Sequence, residues 1–236
     1  MSSQLASAPT THSWQAAAAL IDHSVIRSDH TRDDVLRFCR EALNYRFATV
    51  FVLPGWVSLA AAALQGSPVR VGSVVGFPQG ADLTSVKRFQ AEELLRLGAQ
   101  ELDMVLNIGA LKSGLSQLVL SDIRGVAEIA HAGGAILKVI LETGMLTLEE
   151  KRLACELSLE ARADFVKTST GLLSTGATVE DVALLRSLVG QRAGVKAAGG
   201  IRNAAAFCSL LQAGANRFGT SAGVAIVGEL GAPSLR

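Results

Sequence analysis

The stretch DFVKTSTG, residues 164–171, decides how the rest of the chain is read. Asp164 to Lys167 has the form of a short strand running into a core. The chain then turns into hydroxyls and a glycine. A strand buried on both faces is the mark of a parallel sheet covered by helices. Such a strand has no cheap place for an ammonium, because burying a lone charge is costly. Lys167 must therefore be paired, neutralised or used.

Working outward, the same alternation recurs. Candidate strands are LIDHSV (20–25), ATVFVL (48–53), VRVGSVVG (69–76) and ELDMVLN (101–107), then AILKVILE (135–142), DFVKTST (164–170), GVKAAGG (194–200) and NRFGTS (216–221). Helical patterns lie between them. TSVKRFQAEELLRLGA is expected to start at a cap on Thr84 and to end at Gly98. LTLEE sets Thr147 three residues before Glu150, the spacing of a capping box. Repeated strand–helix units predict the α/β class with a parallel sheet, and eight of them predict a closed (β/α)8 TIM barrel. No strand leads into the Gly-x-Gly-x-x-Gly turn of a dinucleotide fold. No Pro-, Gly- or Ser-rich linker divides the chain, so residues 14–236 are expected to form one barrel.

Composition narrows the function. With 236 residues and a net charge of +1, the chain has no basic face to suggest nucleic acid and no charge run to suggest a membrane surface. The opening MSSQLASAPTTHS lacks the features of a secretory signal, and residues 1–13 are expected to be a mobile tail. No apolar run reaches the ~18 residues of a spanning helix. Cys39, Cys155 and Cys208 are far apart in apolar helical segments and read as small buried hydrophobes of a cytoplasmic protein. The histidines, His12, His23, His30 and His131, show no metal-ligand spacing, so neither a metal nor another cofactor is expected. His131 is expected to face solvent, and the role of His23 is left open. The oligomeric state is also open, a homodimer or another homo-oligomer being compatible with the sequence.

Chemistry in such barrels sits at the C-terminal ends of the strands. There the chain places Asp22 and Ser24, Asp103, Lys138, Lys167 with Thr168, Thr170 and Gly171, Lys196 with Gly199 and Gly200, and Gly219 with Thr220 and Ser221. Lys138, Lys167 and Lys196 fall on three neighbouring strands. Each could be held in a structural ion pair with Asp22, Asp103 or Glu142. A cluster of like charges is, however, what makes an amine nucleophilic. A free lysine has a pKa of ~10.4, which leaves about one in 2,500 neutral at pH 7. A second ammonium ~6 Å away is worth ~2.8 kcal/mol at an effective dielectric of ~20, enough to raise the neutral fraction ~100-fold. The glycines of KAAGGIRN (196–203) and RFGTSAG (217–223) let backbone amides approach a phosphate, or alternatively only permit tight turns.

DFVKTSTG, VKAAGGIR, ELDMVLNIGALKSG, LKVILETGMLT, GFPQGADLTSVKRFQAEELLRLGA and IDHSVI resemble, in order, the motifs of the deoxyribose-phosphate aldolases. The resemblance runs from about Ile21 to Gly223. It implies a cofactor-free class I aldolase, a lyase that reversibly cleaves 2-deoxy-D-ribose 5-phosphate into D-glyceraldehyde 3-phosphate and acetaldehyde. It further implies that Lys167 forms the Schiff base, that Lys196 moves protons and tunes the nucleophile, and that Asp103 belongs to the proton relay. Gly199 and Gly200, with the amides of Gly219, Thr220 and Ser221, would hold the phosphate. Asp22, Ser24, Lys138, Thr168, Thr170 and Gly171 are the remaining candidate substrate contacts. The chain departs from the family pattern at Ser24 (usually Thr), Leu53 (Asn), Ala198 (Ser) and Thr175 (Gly). It also lacks the C-terminal tyrosine of some members, and its single tyrosine is Tyr45. These departures bear on substrate range, phosphate affinity and rate.

Overall fold

The computed structural model describes residues 13–234. Eight parallel strands close into a barrel in sequence order. They are β1 (Ile21–Val25), β2 (Thr49–Val52), β3 (Arg70–Val75), β4 (Glu101–Val105), β5 (Ile136–Ile140), β6 (Phe165–Lys167), β7 (Gly194–Ala198) and β8 (Arg217–Thr220). Each lies inside its expected segment. The helices are α1 (Trp14–Ala18), α2 (Arg32–Tyr45), α3 (Val57–Ala63), α4 (Thr84–Arg96) and α5 (Ile108–Lys112), followed by α6 (Ser116–Ala132), α7 (Leu148–Glu160), α8 (Val179–Val189), α9 (Ala204–Gln212) and α10 (Gly223–Glu229). The expected mobile tail falls almost wholly on residues outside those described. Its last residue, Ser13, caps α1 by accepting from the Ala16 N–H.

The main apolar core is a sleeve between strands and helices. Outward-facing Val50, Val52, Leu102, Met104, Leu137, Val139, Val195 and Phe218 pack there against Phe38, Leu94, Ile123, Leu185 and Phe207. The closure at β8–β1 pairs Asp22 with Gly219 and His23 with Thr220. Helix starts follow local chemistry. Thr147 and Glu150 form the expected capping box, and Thr31 with Asp34 forms another. The start of α4 differs from expectation. Its N-cap is Leu83, without a side-chain cap, and the Thr84 hydroxyl instead donates to Asp122 Oδ1 on α6 at 3.0 Å. The Thr84 side chain is taken by a helix–helix contact, so it caps nothing. Gly98, at φ 105°, lies just beyond the helix end, as the sequence predicts.

Among the described residues no helix is long and apolar enough to cross a membrane. Cys39 and Cys155 are buried and Cys208 half-buried, all as free thiols. The single tyrosine, Tyr45, donates to the Pro233 carbonyl at 3.1 Å and so ties α2 to the end of the chain.

Candidate active site

Period-two alternation sends every second strand residue into the barrel. Parallel register then sets Lys167 beside Lys196 and Asp103 beside Lys138. The result is a buried ionic core inside a barrel whose outer face is largely aliphatic. Asp103 Oδ2 accepts from Lys167 Nζ at 2.8 Å and from Lys196 Nζ at 2.6 Å, while Oδ1 accepts from Lys138 Nζ at 3.2 Å. Asp22 lies 2.5 Å from Lys196 Nζ and 2.6 Å from Arg217 Nε. Four cations (Lys138, Lys167, Lys196 and Arg217) thus face three carboxylates (Asp22, Glu101 and Asp103). The interior balances when one lysine is neutral.

The charges are held by their surroundings. Burial alone would raise the Asp103 carboxyl, but Lys138, Lys167 and Lys196 override it and keep Asp103 well below the usual carboxylate range. Asp22 is depressed in the same way, with Lys196, Lys138 and Arg217 outweighing burial. Burial brings the Lys196 ammonium down to about 8 against the attraction of Asp103 and Asp22, and Lys167 and Lys138 push it further down. Lys138 goes the other way. Burial is outweighed there by Asp103, Asp22 and Glu101, which hold it charged.

Above this core opens a cavity of about 560 Å³. Lys167 reaches its floor and is 3% exposed. Ser24, Thr170 and Gly171 line it, as do Gly199, Gly200, Gly219, Thr220 and Ser221. Lys196 and Asp103 lie beneath Lys167 and touch it through the shared carboxylate. Three candidate contacts do not line the cavity. Asp22 and Lys138 sit lower in the barrel, engaged in the ionic core. Thr168 turns sideways, its hydroxyl donating to the Ala198 carbonyl and accepting from the Ala198 N–H. Alternation explains this placement, since Lys167 and Ser169 flank Thr168 on the strand path. The two glycines of AGG have different surroundings. A Cβ on Gly199 (φ 87°) would meet Gly176 Cα at 2.8 Å, so backbone packing requires that glycine. Gly200 (φ 79°) has open space where its Cβ would be.

Several groups were not foreseen in the sequence. Glu101 takes Lys138 at 2.5 Å and Arg217 at 2.6 Å, the pairing considered for Glu142. Glu142 instead turns the chain in the left-handed region at φ 56°. Its carboxylate accepts from the Thr170 N–H at 2.9 Å and from the Ser174 hydroxyl, clamping the β6–α8 loop over the cavity. Glu101 and Arg217 each open a strand, at the end opposite the cavity. A charge at the first position of a buried strand was the available signal. Arg27, Asp29, His30 and Arg202 form the cavity rim. His23 points away from it and stacks on Phe38, with Nε2 2.6 Å from Glu41. Burial pushes the His23 imidazole below its ordinary value. His131 is partly exposed and pairs with Asp164 at 3.0 Å. Among the described residues no group of three His, Cys, Asp or Glu side chains is arranged to hold a metal ion.

Comparison with known proteins matches residues 16–229 to the DeoC/LacD family aldolase model. A deoxyribose-phosphate aldolase of Geobacillus sp. (strain WCH70) is 49% identical over 210 residues, covering 89% of this chain and 94% of that one. One of Halalkalibacterium halodurans is 50% identical over 214 residues, covering 90% and 95%. A solved deoxyribose phosphate aldolase from Aeropyrum pernix, described as a unique tetramer, superposes with a TM-score of 0.86 at 32% identity, covering 92% of this chain and 91% of that one.

Proposed function

The chain belongs to the DeoC/LacD aldolase family, and from that premise we propose that it is a 2-deoxy-D-ribose-5-phosphate aldolase working through a Schiff base on Lys167. The observation that carries the mechanism is the single oxygen, Asp103 Oδ2, shared by Lys167 and Lys196 at the cavity floor. A lysine in that place has a carboxylate to orient it and a second amine on the same oxygen with which to exchange protons.

The reaction runs as follows. Neutral Lys167 Nζ attacks the C1 aldehyde of the open-chain sugar phosphate, and loss of water leaves an iminium ion. The iminium accepts the electron pair of the C2–C3 bond as that bond breaks, and the C3 hydroxyl gives up its proton. D-Glyceraldehyde 3-phosphate departs. The remaining enamine takes a proton at carbon and is hydrolysed to acetaldehyde, which frees Lys167. Lys196 holds and returns the protons, and Asp103, bonded to both amines, aligns the transfer. The phosphate would rest on the backbone amides at Gly199–Gly200 and Gly219–Ser221, with Gly199 packed against Gly171 and Gly176 of the β6–α8 loop. A homo-oligomer in the cytoplasm belongs to the same reading, and the tetrameric Aeropyrum pernix aldolase supports the assembly.

Borohydride reduction in the presence of acetaldehyde tests this reading. The expected product is one ethyl group on Lys167, mapped by peptide mass spectrometry. An adduct on Lys196 or Lys138, or none at all, would overturn it.

A further inference from the structure

The ionic core has a neutral member. Phe51, on β2, points into the barrel, and its ring lies beneath two ammoniums: Lys196 Nζ stands 3.9 Å from the ring centroid and Lys138 Nζ 4.6 Å. Both are inside the ~6 Å within which a ring face attracts a cation. The ring is 1% exposed, and desolvation strengthens such a contact. Neighbouring strands are shaped to admit it. Gly72, the Cα partner of Phe51 on β3, has no side chain, and a Cβ there would fall 2.4 Å from the ring carbons. On the far side, Gly219 leaves room for the Lys196 stem, since a Cβ there would come within 3.1 Å of Lys196 Cε.

The groups facing Lys196 can be set out strand by strand. Asp22 comes from β1, Asp103 from β4, Lys138 from β5, Lys167 from β6 and Arg217 from β8. The two carboxylates are shared with the other cations, since Asp103 serves three lysines and Asp22 also serves Arg217. Every remaining charged neighbour repels Lys196. The Phe51 ring face is the attraction left on the side of β3, whose Gly72 and Val74 carry no charge.

We propose that Phe51 is a positioning residue of the active site, its ring face holding the Lys196 ammonium charged and in place against Asp103, with Gly72 as the clearance that makes this possible. The proposal rests on the assignment of Lys196 as the proton-moving partner of Lys167. It makes the position of Phe51 sensitive to the electron density of the side chain as well as to its size.

The test replaces Phe51 with a near-isosteric series of 4-fluoro-, 3,5-difluoro- and 3,4,5-trifluorophenylalanine, which withdraws the quadrupole while keeping the shape. The chain has only six lysines (Lys87, Lys112, Lys138, Lys151, Lys167 and Lys196), so lysine labelled with ¹³C at Cε gives resolvable titrations by NMR. The Lys196 signal is identified by its loss in Lys196→Met. Its midpoint is expected to fall in step with fluorine number, by ~0.4–1.5 units across the series. The alkaline limb of the cleavage rate should fall with it. A Lys196 midpoint unmoved across the series would overturn the proposal. So would a moved midpoint with an unmoved rate limb, because the charge held by Phe51 would then be one the reaction does not use. The NMR arm is independent of the Schiff-base assignment, whose failure would show separately as an adduct on another residue.

Discussion

Lys167 and Lys196, partners across the β6–β7 ladder, donate to the same oxygen of the same carboxylate, Asp103 Oδ2, at 2.8 and 2.6 Å. The two nitrogens are therefore within two hydrogen-bond lengths of each other. A proton leaving one has the acceptor of the other within reach. Only Lys167 also meets the cavity, so exposure alone distinguishes the proposed nucleophile from its proposed relay.

Glu142→Ala should loosen substrate binding more than chemistry. The carboxylate holds the Thr170 N–H and the Ser174 hydroxyl, and hydrogen bonds to charged groups contribute ~1.5–3 kcal/mol each. Their loss frees the loop that brings Thr170, Gly171 and Leu172 to the cavity. We expect KM for the sugar phosphate to rise at least ~10-fold, the equivalent of ~1.4 kcal/mol, with a smaller change in kcat. Glu142→Gln, which keeps an amide oxygen, should recover part of the loss. Steady-state kinetics giving an unchanged KM would show that the clamp does not position substrate.

Strands such as β2 (TVFV) and β5 (ILKVI) were legible because each is a short, largely aliphatic run buried on both faces, and β-branched runs bounded by turn residues need no tertiary information. The lysines and Asp103 were legible because a charge inside such a run must be paired, neutralised or used. Phe51 was not, since an aromatic residue in a strand reads as ordinary core until the register shows which face it takes. Glu101 and Arg217 were missed for a related reason. They lie at the N-terminal ends of β4 and β8, and only barrel closure brings them within 2.6 Å of each other. Thr168 directly follows β6, but Asp22 is the second residue of β1 and Lys138 the middle one of β5, and strand limits drawn from sequence are too coarse to place them below the cavity.

A second buried pair lies outside the site. Lys87 Nζ on α4 contacts Asp122 Oδ2 on α6 at 2.5 Å and donates to the Val105 carbonyl at 3.0 Å, just past Asp103 on β4. Lys87→Met strands a buried carboxylate and should cost ~3–5 kcal/mol of stability, read from urea unfolding. The double variant Lys87→Met/Asp122→Leu should recover most of that loss, because no unpaired charge remains. Additive losses in the double-mutant cycle would refute the coupling.

The thiols should sort by burial. Cys39 is pushed up to about 11 and Cys155 to about 12, mainly by desolvation, so neither is thiolate at pH 7.5. Cys208 is half-buried on α9. Maleimide should label native protein first at Cys208, with Cys39 and Cys155 reacting only on unfolding. Rapid labelling of Cys155 in the native state would contradict the packing of α7.

Lys196→Met tests the ionic core most fully. The substitution keeps a long apolar side chain, so packing should change little. Removing the proposed proton carrier should lower cleavage at pH 7 by ~10²–10⁴-fold. It also removes an ammonium that shares Asp103 Oδ2 with Lys167. In the parent, Lys196 loses its proton near pH 8, and activity should decline as pH rises through that value. That limb should be missing from the variant. Stability gives a second reading with a definite sign. The Lys196 value is about 8 in the folded chain against 10.5 for an ordinary lysine, so between those values the unfolded chain binds more protons. Lys196 therefore contributes a rise in stability with pH across that window, and Lys196→Met should flatten it in urea titrations run from pH 7.5 to 10.5. If the rate falls while both pH profiles keep the parent shape, Lys196 moves protons without setting the electrostatics. If neither the rate nor the profiles change, the lysine cluster is structural and the nucleophile must be sought elsewhere.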